Sequence, residues 1–175
     1  MKVRFFAFIA FVACLSACTF GDGGENYYGK GLLEKGTMAP DFVIYTDDKP
    51  DGFTLSSLRG GYVLLEFWAS WCSDCQAATP ELVSLYNEYA PKGLTVVGVS
   101  FDEDADDWRA YISEHDMDWI HFCELKPWSE STISAAYNVK WIPTLYLIDP
   151  DGKVDFATVT VSEMDKVLSE RFNHK

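Results

Sequence analysis

Phe67-Trp68-Ala69-Ser70-Trp71-Cys72-Ser73-Asp74-Cys75 contains the two cysteines on whose placement the reading of this chain turns. The run that leads into it, Tyr62 to Trp68, is almost continuously apolar and of strand length, the pattern of a strand covered on both faces. The segment that follows places Leu82, Leu85, Tyr86 and Tyr89 at helical spacing, which predicts a helix over about 73–90, ended by Pro91 and Gly93. The cysteines therefore stand where a buried strand hands over to a helix. A thiol at a helix N-terminus faces unpaired backbone N–H groups and the positive end of the dipole, and both stabilise a thiolate. A second cysteine three residues on shares that helical face, one turn away. The pattern suits attack by an exposed Cys72 on a disulfide, a mixed-disulfide intermediate, and displacement by a recessed Cys75.

Further along, Pro80 falls inside the predicted helix, where it removes one backbone hydrogen bond and bends the axis. Trp141-Ile142-Pro143-Thr144 precedes the alternating strand 144–148, and its proline marks a strand edge or start. The remaining periodicities predict strands at 41–45 and 52–55 around a Lys49-Pro50-Asp51-Gly52 turn, and another at 94–100. A helix over 104–114, a strand over 119–125 and a short helix over 130–137 come next. Asp149-Pro150-Asp151-Gly152 turns the chain into a strand over 153–159, and a helix over 162–172 closes it. Strands alternating with helices, then a hairpin and a last helix, describe an α/β sandwich with a mixed sheet.

Taken together, the Phe67-to-Cys75 run, Pro80 and Ile142-Pro143-Thr144 resemble the thioredoxin superfamily. Ala39-Pro40-Asp41-Phe42, Leu55-Ser56-Ser57-Leu58 and Asp149-Pro150-Asp151-Gly152 narrow the resemblance to anchored thiol–disulfide oxidoreductases of the TlpA/ResA type, over about residues 37–172. The resemblance implies a central mixed β-sheet with helices on both faces and an N-terminal β-hairpin extension. It also implies a redox-active Cys72-Cys75 disulfide in place of any other cofactor, and a cis Pro143 beside Cys72. The backbone of Ile142 would pair with an extended substrate peptide by strand addition, with Trp71 and Thr144 flanking it.

Two departures from that family pattern matter. Glu66 stands six residues before Cys72, where thioredoxins carry a buried Asp and many TlpA-type relatives an Asn. Those relatives place a Glu three residues after the second cysteine, and here that residue is Ala78. Glu66 is therefore expected to serve Cys75 as general base, with its carboxyl raised by burial; the alternative is a Glu66 exposed at the rim of the sheet. The second departure is Asp74, whose negative charge works against a Cys72 thiolate and stabilises the disulfide. A reductant or mild oxidant is expected, and a strong oxidase is not.

The chain has 175 residues, 48% of them hydrophobic and 23% charged, which is room for one ordinary domain. That core needs no disulfide staples, so its cysteines read as chemistry. Lys2 and Arg4 precede an apolar stretch, Phe5 to Leu15, of secretory length and too short to span a bilayer. Leu15-Ser16-Ala17-Cys18 resembles a bacterial lipobox, which makes residues 1–18 a lipoprotein signal peptide and Cys18 the lipidated N-terminus; an ordinary secretory signal is the alternative. Residues 19–36, glycine-rich and without periodicity, read as a flexible tether, and 37–175 as the thioredoxin-like domain. This organisation implies a membrane-anchored protein of the cell envelope, facing the periplasm if the cell is Gram-negative. Its partners would be exported proteins with cysteine pairs and a membrane electron donor of the thiol-reductase type. A net charge of −13 argues against nucleic acid as a partner.

Weaker signals read as structure. Cys123 in a strand reads as a small buried hydrophobe, with a regulatory third thiol as the alternative. Cys72, Cys75, His121 and Cys123 lack the spacing of a zinc site, and no metal is expected. The acidic run 102–107 has Asp107 where a calcium loop needs glycine, so it reads as a solvated helix start. Trp68, Trp71 and Trp141 are expected at the active-site surface, and Trp108, Trp119 and Trp128 in packing roles. A peroxiredoxin would need Pro and Thr where Trp68 and Cys72 stand. A binding module without turnover has no reason to keep both thiols.

Overall fold

The computed structural model describes residues 29–173; the stretch expected to be a lipoprotein signal peptide, the lipobox-like run with Cys18 and most of the expected tether lie outside the described residues. Among the described residues the first regular elements are a hairpin of β1 (Val43–Thr46) and β2 (Lys49–Thr54). It continues through β3 (Val63–Trp68), α1 (Ser73–Tyr89), β4 (Thr95–Ser100), α2 (Ala105–Glu114), β5 (Ile120–Cys123) and α3 (Thr132–Ala136). It closes with β6 (Thr144–Ile148), β7 (Val154–Thr158) and α4 (Val161–Asn173). The main sheet has the order β5-β4-β3-β6-β7, with β3, β4 and β5 mutually parallel and β6 and β7 antiparallel additions.

β3 is central, and all of its residues are buried. Because side chains alternate along a strand, Leu64, Glu66 and Trp68 face one way and Val63, Leu65 and Phe67 the other. The first face is covered by α1 and α4, whose Leu82, Leu85, Tyr89, Met164 and Leu168 pack with Leu64. Tyr111 of α2 joins this side, its ring centroid 5.6 Å from that of Trp68. The second face is covered by the segment after α3, where Tyr137 meets Phe67, and by the hairpin side, where Phe42 stacks on Phe122. A mixed sheet between helices on both faces, preceded by a hairpin, is the thioredoxin-like α/β architecture that the resemblance implied.

Two local expectations need correction. Lys49-Pro50-Asp51-Gly52 is not the hairpin turn: Thr46 pairs with Lys49, Thr46 Oγ1 donates to Asp48, and residues 49–52 belong to β2. Pro50 is tolerated there because a two-stranded sheet has a free edge, where a missing N–H costs no ladder bond. Gly52 is required within that strand, at φ +75°, since a Cβ would come within 2.6 Å of Val43.

The boundary at 37 also moves. Leu32 and Leu33 pack against the core, Leu33 N donates to Tyr146 Oη at 3.1 Å, and Gly36 N to Val154 O at 2.7 Å. Met38 bridges Lys153, and Lys35 pairs with Asp155. Irregular backbone can dock as firmly as regular structure when it hydrogen-bonds to a sheet edge, here that of β7. Composition and periodicity do not reveal such docking.

Candidate active site

The end of β3 and the start of α1 place the two cysteines. Cys72 caps the helix in an extended conformation, and its Sγ accepts the backbone N–H of Cys75 at 3.2 Å. The two Sγ atoms stand 2.6 Å apart. From the opposite side comes the stretch before β6, in which Ile142-Pro143 is a cis peptide and the Ile142 carbonyl lies 3.6 Å from Cys72 Sγ. Thr144 secures this approach by donating to the Trp141 carbonyl at 2.7 Å. Residues distant in sequence, Trp71, Cys72, Cys75, Ile142, Pro143 and Thr144, are thus brought together, and Glu66 lies beneath them.

Cys72 is not the exposed thiol expected of it. It is 8% accessible, against 2% for Cys75, because the helix N-terminus is folded against the Ile142 backbone. It opens instead onto a groove of 390 Å³ walled by Trp71, Trp128, Trp141 and Lys140. Trp71 is the most exposed of these indoles, at 58%. The tryptophan assignments exchange members. Trp68 is fully buried on the α2 face, whereas Trp128 lines the groove, stacked on Phe101 at 4.9 Å with its Nε1 donating to Ser134 Oγ.

Glu66 is buried, which removes the rim-exposed alternative. Its Oε2 has no hydrogen-bond partner among the described residues. Burial in these apolar surroundings pushes its carboxyl up to about 8. The Cys75 thiol is also pushed up, first by burial, then by its contact with Cys72 and by the charge of Glu66. A carboxylate near a thiol raised in this way can accept that thiol's proton.

One residue that supports the site was missed. Asp102 is 2% accessible and accepts from Ser70 N at 3.0 Å, from Ser70 Oγ at 2.6 Å and from Ser100 Oγ. It therefore pins the loop that presents Trp71 and Cys72, and Gln76 Nε2 adds a bond to the Ser70 carbonyl at 2.7 Å. The sequence hides this role because Asp102 heads an acidic run whose other members behave as expected. Asp104 caps α2, accepting from Asp106 N and Asp107 N. The signal available was position: Asp102 alone of the run directly follows the buried strand β4 and Phe101.

Cys123 is half-buried; its Sγ donates to the Asp102 carbonyl at 3.1 Å, and burial pushes the thiol up. No group of His, Cys, Asp and Glu among the described residues could hold a metal ion.

With this geometry in view, the comparisons with known proteins agree. A family model described as thioredoxin-like matches residues 60–154. The thioredoxin-like protein YneN of Bacillus subtilis is 33% identical over 142 residues, covering 78% of this chain and 79% of its own. The thiol-disulfide oxidoreductase ResA of Bacillus cereus is 31% identical over 125 residues, covering 71% of this chain and 69% of its own. The thioredoxin domain of a thiol-disulfide oxidoreductase from Bacteroides vulgatus superposes with a TM-score of 0.72 at 28% identity, over 81% of this chain and 99% of that one.

Proposed function

The chain belongs to the thioredoxin-like family and is a thiol–disulfide oxidoreductase, and from that premise we propose that it reduces disulfides of exported proteins through Cys72 and Cys75. The observation that carries this reading is the pair of sulfurs 2.6 Å apart at the mouth of α1, beneath a groove bordered by Ile142. The Cys72 thiolate attacks one sulfur of the substrate disulfide, forming a mixed disulfide and releasing the first substrate thiolate. Cys75 gives its proton to the Glu66 carboxylate and attacks Cys72 Sγ, releasing the second substrate thiolate. The substrate gains two electrons and the Cys72-Cys75 pair becomes a disulfide. A membrane electron donor of the thiol-reductase type returns it to the dithiol.

The substrate peptide lies along Ile142 to Thr144 as an added strand, its flanking side chains against Trp71 and Trp141. Lipid on Cys18 holds the domain at the cell envelope, outside the cytoplasm, and two or more acyl chains make such an anchor stable. No described helix is long and apolar enough to cross a membrane.

Insulin-disulfide reduction in the presence of dithiothreitol tests the reaction. Turnover by the folded domain, lost in Cys72→Ser, supports it; turnover of hydrogen peroxide but not insulin, or of neither, overturns it. Cys75→Ser is expected to accumulate a mixed disulfide with its envelope substrates, and identifying the captured proteins names the partner. Metabolic labelling with palmitate tests the anchor: label on the natural chain and none on Cys18→Ala is expected, and an unlabelled natural chain removes it.

A further inference from the structure

A disulfide oxidoreductase discriminates among substrates by what surrounds the cysteine it attacks, and the surface around Cys72 and Pro143 is not uniform. One hollow is the groove of 390 Å³ onto which Cys72 opens, walled by Trp71, Trp128 and Trp141 and completed by Lys140. Another, of 580 Å³, lies over Ala77, Ala78 and Glu81 of α1 and reaches Pro143. Trp141 and Asp74 border both, so they divide one surface into two lobes. An extended peptide drawn along Ile142 to Thr144 sets the residues before and after its cysteine against different lobes.

The first lobe is built for a ring. Trp128 lies parallel to Phe101, 4.9 Å between centroids and 6° between planes, and its Nε1 donates to Ser134 Oγ at 2.6 Å. A wall fixed in this way loses little freedom when a substrate arrives. Trp71 is the most exposed large apolar side chain among the described residues, and covering it takes apolar surface out of water. Lys140, also exposed, gives this lobe a cation. The second lobe has the carboxylates of Asp74 and Glu81 and no cation among its lining residues. An aromatic ring carries negative charge on its face and positive charge at its edge. Indoles receive such a ring by offset or edge contacts, and an ammonium attracts its face, which an aliphatic side chain cannot match. Asp74 is common to both lobes and does not discriminate between them; Glu81 belongs to the second alone and repels a ring face there.

We propose that the lobe formed by Trp71, Trp128, Trp141 and Lys140 is a specificity subsite for one aromatic side chain of the substrate, carried next to the cysteine that Cys72 attacks. The proposal rests on the reading of peptide disulfides as substrates and names the class among them that is preferred. A groove of 390 Å³ is at the small end of ligand pockets, the size for a single ring and the backbone that bears it. Because only one of the two lobes is aromatic, the preference has a direction: a ring on one side of the cysteine is favoured and a ring on the other is not. The thiol exchange itself is unaltered, since the subsite acts by holding the peptide with its sulfur at Cys72 Sγ.

The test uses the reduced protein and short peptides whose central cysteine carries thionitrobenzoate as a mixed disulfide. Attack on the peptide sulfur releases the coloured thiolate, the more acidic leaving group, and gives a second-order rate constant. Dividing by the rate of the same peptide with dithiothreitol removes its intrinsic reactivity. Phenylalanine on one side of the cysteine is expected to react about tenfold faster than alanine there, and phenylalanine on the other side at the alanine rate. Cyclohexylalanine, of similar size without π-electrons, is expected to fall about threefold short of phenylalanine. Trp71→Ala shrinks the preference over alanine, and Lys140→Met the preference over cyclohexylalanine; both replace exposed side chains. Equal rates for all peptides, an equal gain on both sides of the cysteine, or ratios that neither variant moves overturn the subsite. A cyclohexylalanine peptide as fast as the phenylalanine one overturns its aromatic character. No release from any peptide by the natural chain overturns the peptide-disulfide reading as well, whereas equal rates leave that reading standing.

Discussion

Glu66 is a buried carboxyl whose Oε2 has no hydrogen-bond partner among the described residues. Its folded-state carboxyl is raised to about 8 from 4.5, so between those values the native state holds a proton that the unfolded chain has lost. Stability contributed by this neutral form is present at low pH and lost as pH rises toward 8. His121 has the opposite sign: its folded imidazolium is depressed to about 4 from 6.5, so stability is lost as pH falls through that window. The two oppose each other between about 4.5 and 6.5, which leaves 6.5–8 as the clean range for Glu66. Glu66→Gln, with no charge to bury, is expected to melt progressively above the natural chain across that range, by about 1.4 kcal/mol per pH unit. Thermal melts at pH 6.5 and 8 check this, and an equal gap at both is the contrary result. Asp74 belongs at the same scale. Removing its charge in Asp74→Asn favours the Cys72 thiolate and is expected to make the couple more oxidising, by up to about 30 mV in a glutathione redox titration.

At the scale of elements, two joints position the chemistry. Asp102, at the end of β4, holds the β3–α1 loop through Ser70. Asp102→Ala strands three donors, and a loss of about 3 kcal/mol in chemical denaturation is expected, with a slower first exchange step because the Cys72 loop is no longer pinned. Gly98, in the middle of β4, makes the other joint. Gly98→Ala forces a Cβ against three nitrogens at 2.9 to 3.2 Å, and a destabilisation of about 1–3 kcal/mol is expected in the same measurement. The elements themselves were legible. The apolar run before Cys72 could only be a covered strand, and the strand predicted over 144–148 is β6 to the residue. The hairpin turn was misread because Pro50 and Gly52 are turn residues in isolation, and only the free edge of a two-stranded sheet lets them lie within β2.

For the whole molecule, the ordered unit begins before the Ala39-Pro40 motif. Leu33, Lys35 and Gly36 fasten the chain to Tyr146, Asp155 and Val154, and Asp155 is further clamped by Arg171 of α4. A chain cut to start at residue 37 is expected to unfold at lower temperature than one starting at 29, with a larger drop than the exposed Lys35–Asp155 pair alone explains. Matched melting curves of the two, and of Lys35→Ala, separate these contributions.

Chemistry that depends on neighbours along the chain was readable in advance. A strand, a tight turn and a helix start bring Cys72 and Cys75 within a few ångströms by local geometry alone, and any fold that keeps those elements keeps the pair. What lies across the sheet was not readable, because pairing between neighbouring strands of this mixed sheet joins residues far apart in sequence. That register placed Gly98 between Glu66 and His121, folded the Ile142 carbonyl over Cys72 and took it out of open solvent, and turned Asp102 from a solvated charge into a buried clasp.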